Sequence, residues 1–290
     1  MTLRAIRTTP PTSAAAADPS WLVEFHASLT REDLSSATLR GYLYDLRHFL
    51  HWHSGLQDAP FSPNRLAEYD VIAYRQHMVA AGRRPATINR RLEALRRLGR
   101  WAHSNGMLTV DVVHSVRPVR TVRDRQPVGL TDPEVHGVLR AAGASRHGLA
   151  PRNYALVQLM LQTGVRVGEA ATLQVGDVTI NDRSGALRIR QGKGLKAREV
   201  PLNATARRAV KAYIDTRPSV TKTEPLFVSS RDGPMPVRSI QAVIASIVRR
   251  ARTQRVPVSA HTLRHTFALG YLHDNPGKLV ELAALLGQAV

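Results

Sequence analysis

Cysteine is absent from the chain, which excludes disulfides, thiolate nucleophiles and zinc sites built on cysteine. Long apolar runs are missing too, and none approaches the ~20 residues that a membrane-crossing helix needs. The opening MTLRAIRTTPPTSAAAADPS carries two arginines but no apolar core of ~7–15 residues, so it does not read as a secretory signal. Residues 1–18 are expected to be a disordered leader, and the expected location is cytoplasmic and nucleoid-associated. Acidic residues are few, at 22 against 41 basic ones, and lysine is scarcer still. Only 5 of the cations are lysines, the first being Lys193, and 36 are arginines.

What is present is a large, evenly spread positive charge. The formal net charge of 290 residues is +19, with 18 basic and 11 acidic groups over residues 1–126 and 23 and 11 over 127–290. The sequence pI of 11.3 lies above the ~9 that marks the electrostatic footprint of a nucleic-acid-binding domain. Arginine's planar fork of donors fits phosphate better than lysine's point charge does. A GC-rich genome producing an arginine-rich soluble protein is the plain alternative. Apolar residues make up 43%, an ordinary share that excludes wholesale disorder. The length fits two domains of ~100–200 residues each.

The first half reads as helices. Ser35 and Ser36 can cap a stretch in which Leu39, Tyr42, Leu43, Leu46, Phe49 and Leu50 recur on one face, ended by Gly55, Pro60 and Pro63. A third helix is expected over residues 63–81, stopping at Gly82. After Pro85, Ile88, Leu92, Leu95, Leu98 and Trp101 form an apolar stripe, with Arg90, Arg91, Arg96, Arg97 and Arg100 on other faces. Five arginines against the single Glu93 favour a phosphate-facing surface over a merely solvated one. Residues 111–128 lose helical periodicity and read as a basic linker between a helical domain at 19–110 and a second domain at 129–290.

The second half opens with a capping signal. Thr131 stands before Pro133 and Glu134, the pattern of a helix start. Helices are expected over 153–162, where Thr163-Gly164 is a stop, and over 169–173. One hairpin pairs 186–190 with 198–202, and further helices fall near 204–215, 237–253, 262–275 and 278–286. Three segments stand out. Arg166 follows a helix break in TGVRVGE, Lys193 sits at the hairpin turn in GKGLKAR, and His261 and Arg264 share a helix face in HTLRH. Singly, each has an ordinary explanation: a surface arginine, a solvated turn, a packed histidine. His261 and His265 at i, i+4 could suggest zinc, but Thr262 stands where a zincin has glutamate.

In order and together, these segments resemble the tyrosine recombinases, the phage-type integrases and Xer-like resolvases. The strings TGVRVGEAATLQVGDV and HTLRHTFA are close to that family's two arginine boxes, with GKG between them and Leu285-Leu286-Gly287 after them. The resemblance implies a mainly α, two-domain protein: a helical, SAM-like core-binding domain, then a mixed α domain with a small β-sheet, the DNA breaking-rejoining fold. It implies that Arg166 and Arg264 clamp a phosphate, that Lys193 is the general acid with Lys196 as its rival, and that His261 handles protons. The first-half arginines and double-stranded DNA would be partners, with self-association on DNA as in the family's tetramer. No metal or cofactor is implied, since arginine charge stabilises the anionic transition state.

The pattern fails at one end. The family's histidine position after Leu-Gly is occupied by Gln288, and its tyrosine nucleophile, about nine residues further on, has no counterpart in the chain. All seven tyrosines (42, 44, 69, 74, 154, 213 and 271) lie upstream. The expectation is a C-terminally truncated recombinase that binds DNA without cleaving it, with weakened self-association. The alternative is a non-catalytic DNA-binding remnant or regulator that occupies recombination sites.

Overall fold

The computed structural model describes residues 18–32, 34–56, 60–121, 128–145, 148–190, 197–230, 232–252 and 258–288. The expected leader over 1–18 therefore lies outside the described residues except for Asp18, which pairs with Arg47 at 2.5 Å. The chain divides into two compact units, one running to residue 123 and the other from residue 124. Among the described residues, no helix is long and apolar enough to cross a membrane.

The first unit is built from α1 (Ser20–Thr30), α2 (Ser36–Ser54), α3 (Glu68–Ala80) and α4 (Pro85–Ser104). Ser35 caps α2 by accepting from the Thr38 amide at 3.2 Å. The single helix expected over 63–81 is interrupted. Pro63–Arg65 forms only a 3-10 turn, and the Asp70 carboxylate restarts the chain as α3 by accepting from the Ala67 amide at 3.0 Å. The α4 stripe is buried as its spacing requires: Ile88, Leu92, Leu95 and Leu98 pack against Leu22, Phe25, Leu46, Phe49, Tyr74 and Met78. Burying each such large side chain contributes about 1.5–3 kcal/mol relative to exposing it. Within the stretch expected as a linker, Val113 and Val116 are buried in this core, and the Asn89 side chain holds the Val119 amide at 2.8 Å.

The second unit runs through α5 (Asp132–Gly143), α6 (Ala150–Thr163), the one-turn α7 (Val167–Ala170), strands β1 (Val178–Ile180), β2 (Gly185–Ile189) and β3 (Arg198–Pro201), then α8 (Ala204–Ile214), α9 (Val237–Ala251), α10 (Ala260–Asp274) and α11 (Leu279–Leu286). Glu134 closes the expected start of α5, accepting from the Thr131 amide at 2.8 Å. Helix α6 is apolar around most of its circumference, and it packs against α5, α8 and α10. The sheet is antiparallel in the order β1-β2-β3, with Val178 opposite Leu187 and Leu187 opposite Val200. The expected hairpin thus gains a third strand, β1, whose three residues are too few to display an alternating pattern.

Candidate functional site

The site grows from a helix that must stop. Gly164 ends α6 at φ +61°, and a Cβ there would collide with the Phe267 ring. Only glycine meets both demands. The chain then extends through Arg166 (φ −69°, ψ 148°), which starts α7. Glu169, three residues on, reaches back so that one carboxylate oxygen accepts from the Arg166 amide at 2.8 Å and the other from its guanidinium at 2.9 Å.

A second arginine closes on the same carboxylate. Arg198, the first residue of β3, donates Nη1 and Nη2 to the two oxygens of Glu169 at 3.0 and 2.8 Å. Glu169 is 6% exposed. Burial pushes its carboxyl upward, but the Arg198 fork, the Arg166 amide and the Arg166 guanidinium outweigh that and hold it below the usual range. Arg198 shares the inward face of β3 with the buried Val200, while Glu199 between them points outward.

Helix α11 supplies the other side. Its end is a Schellman turn, with Gly287 at φ +60° and the Gln288 and Gly287 amides donating to the Ala283 and Ala284 carbonyls at 2.9 and 3.0 Å. The next three carbonyls each accept from an arginine: Leu285 from Arg198 Nε at 2.9 Å, Leu286 from Arg264 Nη2 at 2.8 Å, and Gly287 from Arg166 Nη2 at 3.0 Å. Cations are favoured at a helix C-terminus, where unpaired carbonyls concentrate negative charge. A Cβ on Gly287 would meet Arg198 Nη1 at 2.6 Å, so this approach also requires glycine.

Arg264, on α10, is 7% exposed and donates its other Nη to the Gly164 carbonyl at 2.7 Å. Burial first, then the neighbouring Arg166, lowers its pKa to about 10, against the pull of Glu169. Its carbonyl partners carry no formal charge, so its positive charge is only partly answered. His261 lies exposed near the start of α10, its ring edge-on to His265 at 4.3 Å between centroids. His265 is pulled down by burial, then by His261 and Arg264. A cleft of about 300 Å³ is lined by Arg166, Val167, Ala260, His261, Arg264 and Gln288.

The structure therefore brings together Arg166, His261, Arg264 and Gln288. Lys193 and its rival Lys196 lie outside the described residues. Tyr271, the last tyrosine in the sequence, lines a different cavity, and its hydroxyl donates to Glu281 at 3.0 Å. Among the described residues, no three His, Asp or Glu side chains cluster as a metal-binding group. Arg198 was not among the expected site residues. Its signal is an arginine in register with the apolar, inward positions of a strand.

The α4 arginines divide. Arg90 and Arg100 keep half or more of their side chains exposed, and they pair with Asp45 and Glu93. Arg96 donates to the Val116 carbonyl at 2.8 Å, and Arg97 pairs with Glu32 over the Tyr42 ring. Arg91 corrects the expectation of five surface cations. It is 7% exposed, packed against Asp45 and Met78, because its position three after Ile88 and four before Leu95 falls on the buried stripe.

The sequence matches the phage integrase family over residues 130–286 and the N-terminal SAM-like domain of phage integrases over residues 22–106. It is 32% identical over 281 residues to tyrosine recombinase XerD of Mycobacterium tuberculosis (strain ATCC 25618 / H37Rv), covering 91% of this chain and 87% of that protein. Tyrosine recombinase XerC of Corynebacterium efficiens is 29% identical over 256 residues, covering 88% and 78%. The crystal structure of XerA recombinase superposes with a TM-score of 0.51 at 26% identity, covering 93% of this chain and 89% of that one. A lambda integrase dimer bound to a COC′ core site gives 0.73 at 21% identity over 93% and 94%, a likeness of fold.

Proposed function

The chain belongs to the phage integrase family of tyrosine recombinases, and from that premise we propose that it acts in site-specific DNA recombination, gripping one phosphodiester of duplex DNA in the Arg166–Arg264 cleft. The observation that carries this reading is the convergence of two arginines from separate elements, with His261, on one open cleft. Transesterification at phosphorus builds negative charge on the non-bridging oxygens, and fixed donors aimed there lower the barrier. Arg166 and Arg264 supply those donors from opposite sides. His261 hydrogen-bonds the phosphate and moves the nucleophile's proton. Gln288 offers an amide N–H where the family has an imidazole, so it can bind an oxygen but cannot exchange a proton with it near neutral pH. Lys193 is the proposed general acid for the leaving 5′-oxygen, with Lys196 as the alternative. Arg90 and Arg100 extend the grip to the DNA backbone from the first unit.

Residues 1–290 are proposed to bind DNA without forming a 3′-phosphotyrosine. Tyr271 is poorly placed as a nucleophile: partial burial and the Glu281 carboxylate push its phenol above the ordinary range, and it lines another cavity. Relatives of this fold have been solved as a dimer on a core site and as a tetramer on a Holliday junction, so assembly on DNA is part of the proposal. The test uses a nicked duplex carrying the site that the chain selects from a random-sequence pool. A shifted complex that denaturant fully dissociates is expected; a denaturant-resistant adduct overturns the non-cleaving part of the reading. If Arg166→Ala and Arg264→Ala each leave affinity at wild type, the cleft is not where DNA binds.

A further inference from the structure

Glu169 poses a problem for the proposed grip. A carboxylate 6% exposed and bonded to Arg166 would, by itself, neutralise the guanidinium that is meant to meet a phosphate. Buried ions need partners, and Arg166 would be drawn wholly into that pair. Arg198 changes the balance. Its side chain is 10% exposed, and it donates to both carboxylate oxygens of Glu169. Arg166 uses Nη1 on one of those oxygens and Nη2 on a neutral carbonyl, and keeps 38% of its side chain exposed toward solvent. With Arg166, Arg198 and Arg264 against Glu169, the cluster carries a net charge of +2; without Arg198 it would carry +1, and Glu169 would have Arg166 as its sole ion-pair partner.

We infer that Arg198 is a positioning residue: it takes up the charge of Glu169 so that Glu169 can orient Arg166 without neutralising it, and through the Leu285 carbonyl it fixes the α11 turn that presents Gln288. Arg198 keeps only 10% of its side chain exposed and does not line the Arg166–Arg264 cleft; the cavity it lines is the one that holds Tyr271. The same Glu169 serves as a splint for Arg166 because a second, hidden cation answers its charge. This inference rests on the reading that Arg166 holds a DNA phosphate.

The test measures binding of a short fluorescent duplex of mixed sequence across a salt series, with residues 1–290 as wild type, Arg166→Ala, Arg198→Met, Glu169→Gln and the double variant Arg198→Met/Glu169→Gln. Each phosphate contact contributes about 0.9 to the slope of log affinity against log salt. Arg198→Met is expected to lower slope and affinity as far as Arg166→Ala does, by at most about 0.9 in slope and about tenfold in affinity near 0.1 M salt, as Arg166 withdraws onto Glu169. The double variant removes the demand on Arg166 and should restore the wild-type slope. A residue that merely braces the strand would not be rescued by Glu169→Gln, so a double variant as weak as Arg198→Met overturns the inference. Wild-type binding by Arg198→Met alone, with Arg166→Ala weakened, also overturns it while leaving the proposed function standing. Wild-type binding by Arg166→Ala overturns both. If Arg198→Met does not fold, the double variant carries the test alone: it leaves neither Arg198 nor Glu169 as a buried charge without its partner, and a wild-type slope supports the inference whereas a slope as low as that of Arg166→Ala refutes it.

Discussion

Two carboxylates in this protein are buried between pairs of arginines, and the surroundings treat them differently. Glu169, in the second unit, accepts from the Arg166 amide, the Arg166 guanidinium and both Nη atoms of Arg198, and its pKa is held down. Asp45, in the first unit, is 1% exposed and bonds to Arg90, but its Oδ1 and the Arg91 Nε stand 3.7 Å apart. Among the described residues neither of those two atoms has a hydrogen-bond partner. Burial therefore dominates at Asp45, and its pKa is raised despite Arg90 and Arg91. The same residue types give a saturated network in one place and an open one in the other. A carboxylate spanning two elements is stabilised by how many of its lone pairs are used, and proximity to cations is not enough.

The largest expected effect tests that contrast directly. Glu169→Gln should destabilise the second unit by about 3–5 kcal/mol, since it leaves Arg198 a buried charge without its counter-ion. Asp45→Asn should cost the first unit less, about 1.5–3 kcal/mol, the worth of one hydrogen bond to a charged group, because Arg90 stays half exposed and Arg91 makes no hydrogen bond to Asp45. The two losses can be separated in one chain. All three tryptophans, Trp21, Trp52 and Trp101, belong to the first unit, so urea unfolding followed by tryptophan fluorescence reports that unit and far-UV circular dichroism reports both. Equal losses would break the comparison.

Next in size is Gly287→Ala. The positive φ and the 2.6 Å approach of Arg198 Nη1 to a Cβ make any side chain at the α11 turn costly. A loss of about 1–2 kcal/mol is expected from the left-handed backbone alone. Chemical denaturation followed by circular dichroism checks it, and a neutral substitution would mean that Gly287 does not hold the left-handed turn in solution.

The sharpest pH effect belongs to the first unit. His48 bonds to the Tyr74 hydroxyl at 2.8 Å, and burial, then Arg91, lower its pKa from 6.5 to about 4. A histidine depressed in this way stays neutral in the folded unit while the unfolded chain takes up a proton, so its contribution is lost as pH falls from 6.5 towards 4. Asp45, raised above 3.8, acts with the opposite sign in the same unit. The difference between wild type and His48→Gln therefore isolates the histidine. Melting temperature by tryptophan fluorescence should converge for the two proteins as pH falls through that window, and a constant difference would contradict the assignment.

Much of this arrangement was legible in the sequence. The caps at Ser35 and Thr131, the stop at Gly164, and the apolar stripes of α2 and α4 are local signals, and each produced the element it announced. The order of the arginine boxes points to Arg166, His261 and Arg264 as one group, and all three line the same cleft. Long-range pairings left weaker traces. Arg91 reads as a surface cation because its partner, Asp45, lies on another helix, although its spacing from Ile88 and Leu95 places it inward. Asp70 breaking the expected helix before α3 is a local carboxylate–amide bond that competes with continued helix and has no strong composition signal. Backbone acceptors leave no trace at all, and so the three carbonyls of α11 that collect Arg198, Arg264 and Arg166 could not be read in advance.

Under the proposed function, Arg166 and Arg264 keep charge available for a DNA phosphate. Salt-dependent duplex binding by wild type and by Arg166→Ala/Arg264→Ala tests it most directly. The double variant is predicted to lose about 0.9 from the slope of log affinity against log salt, the worth of the one phosphate that the two arginines share. An unchanged slope, with both proteins folded and bound, would contradict it.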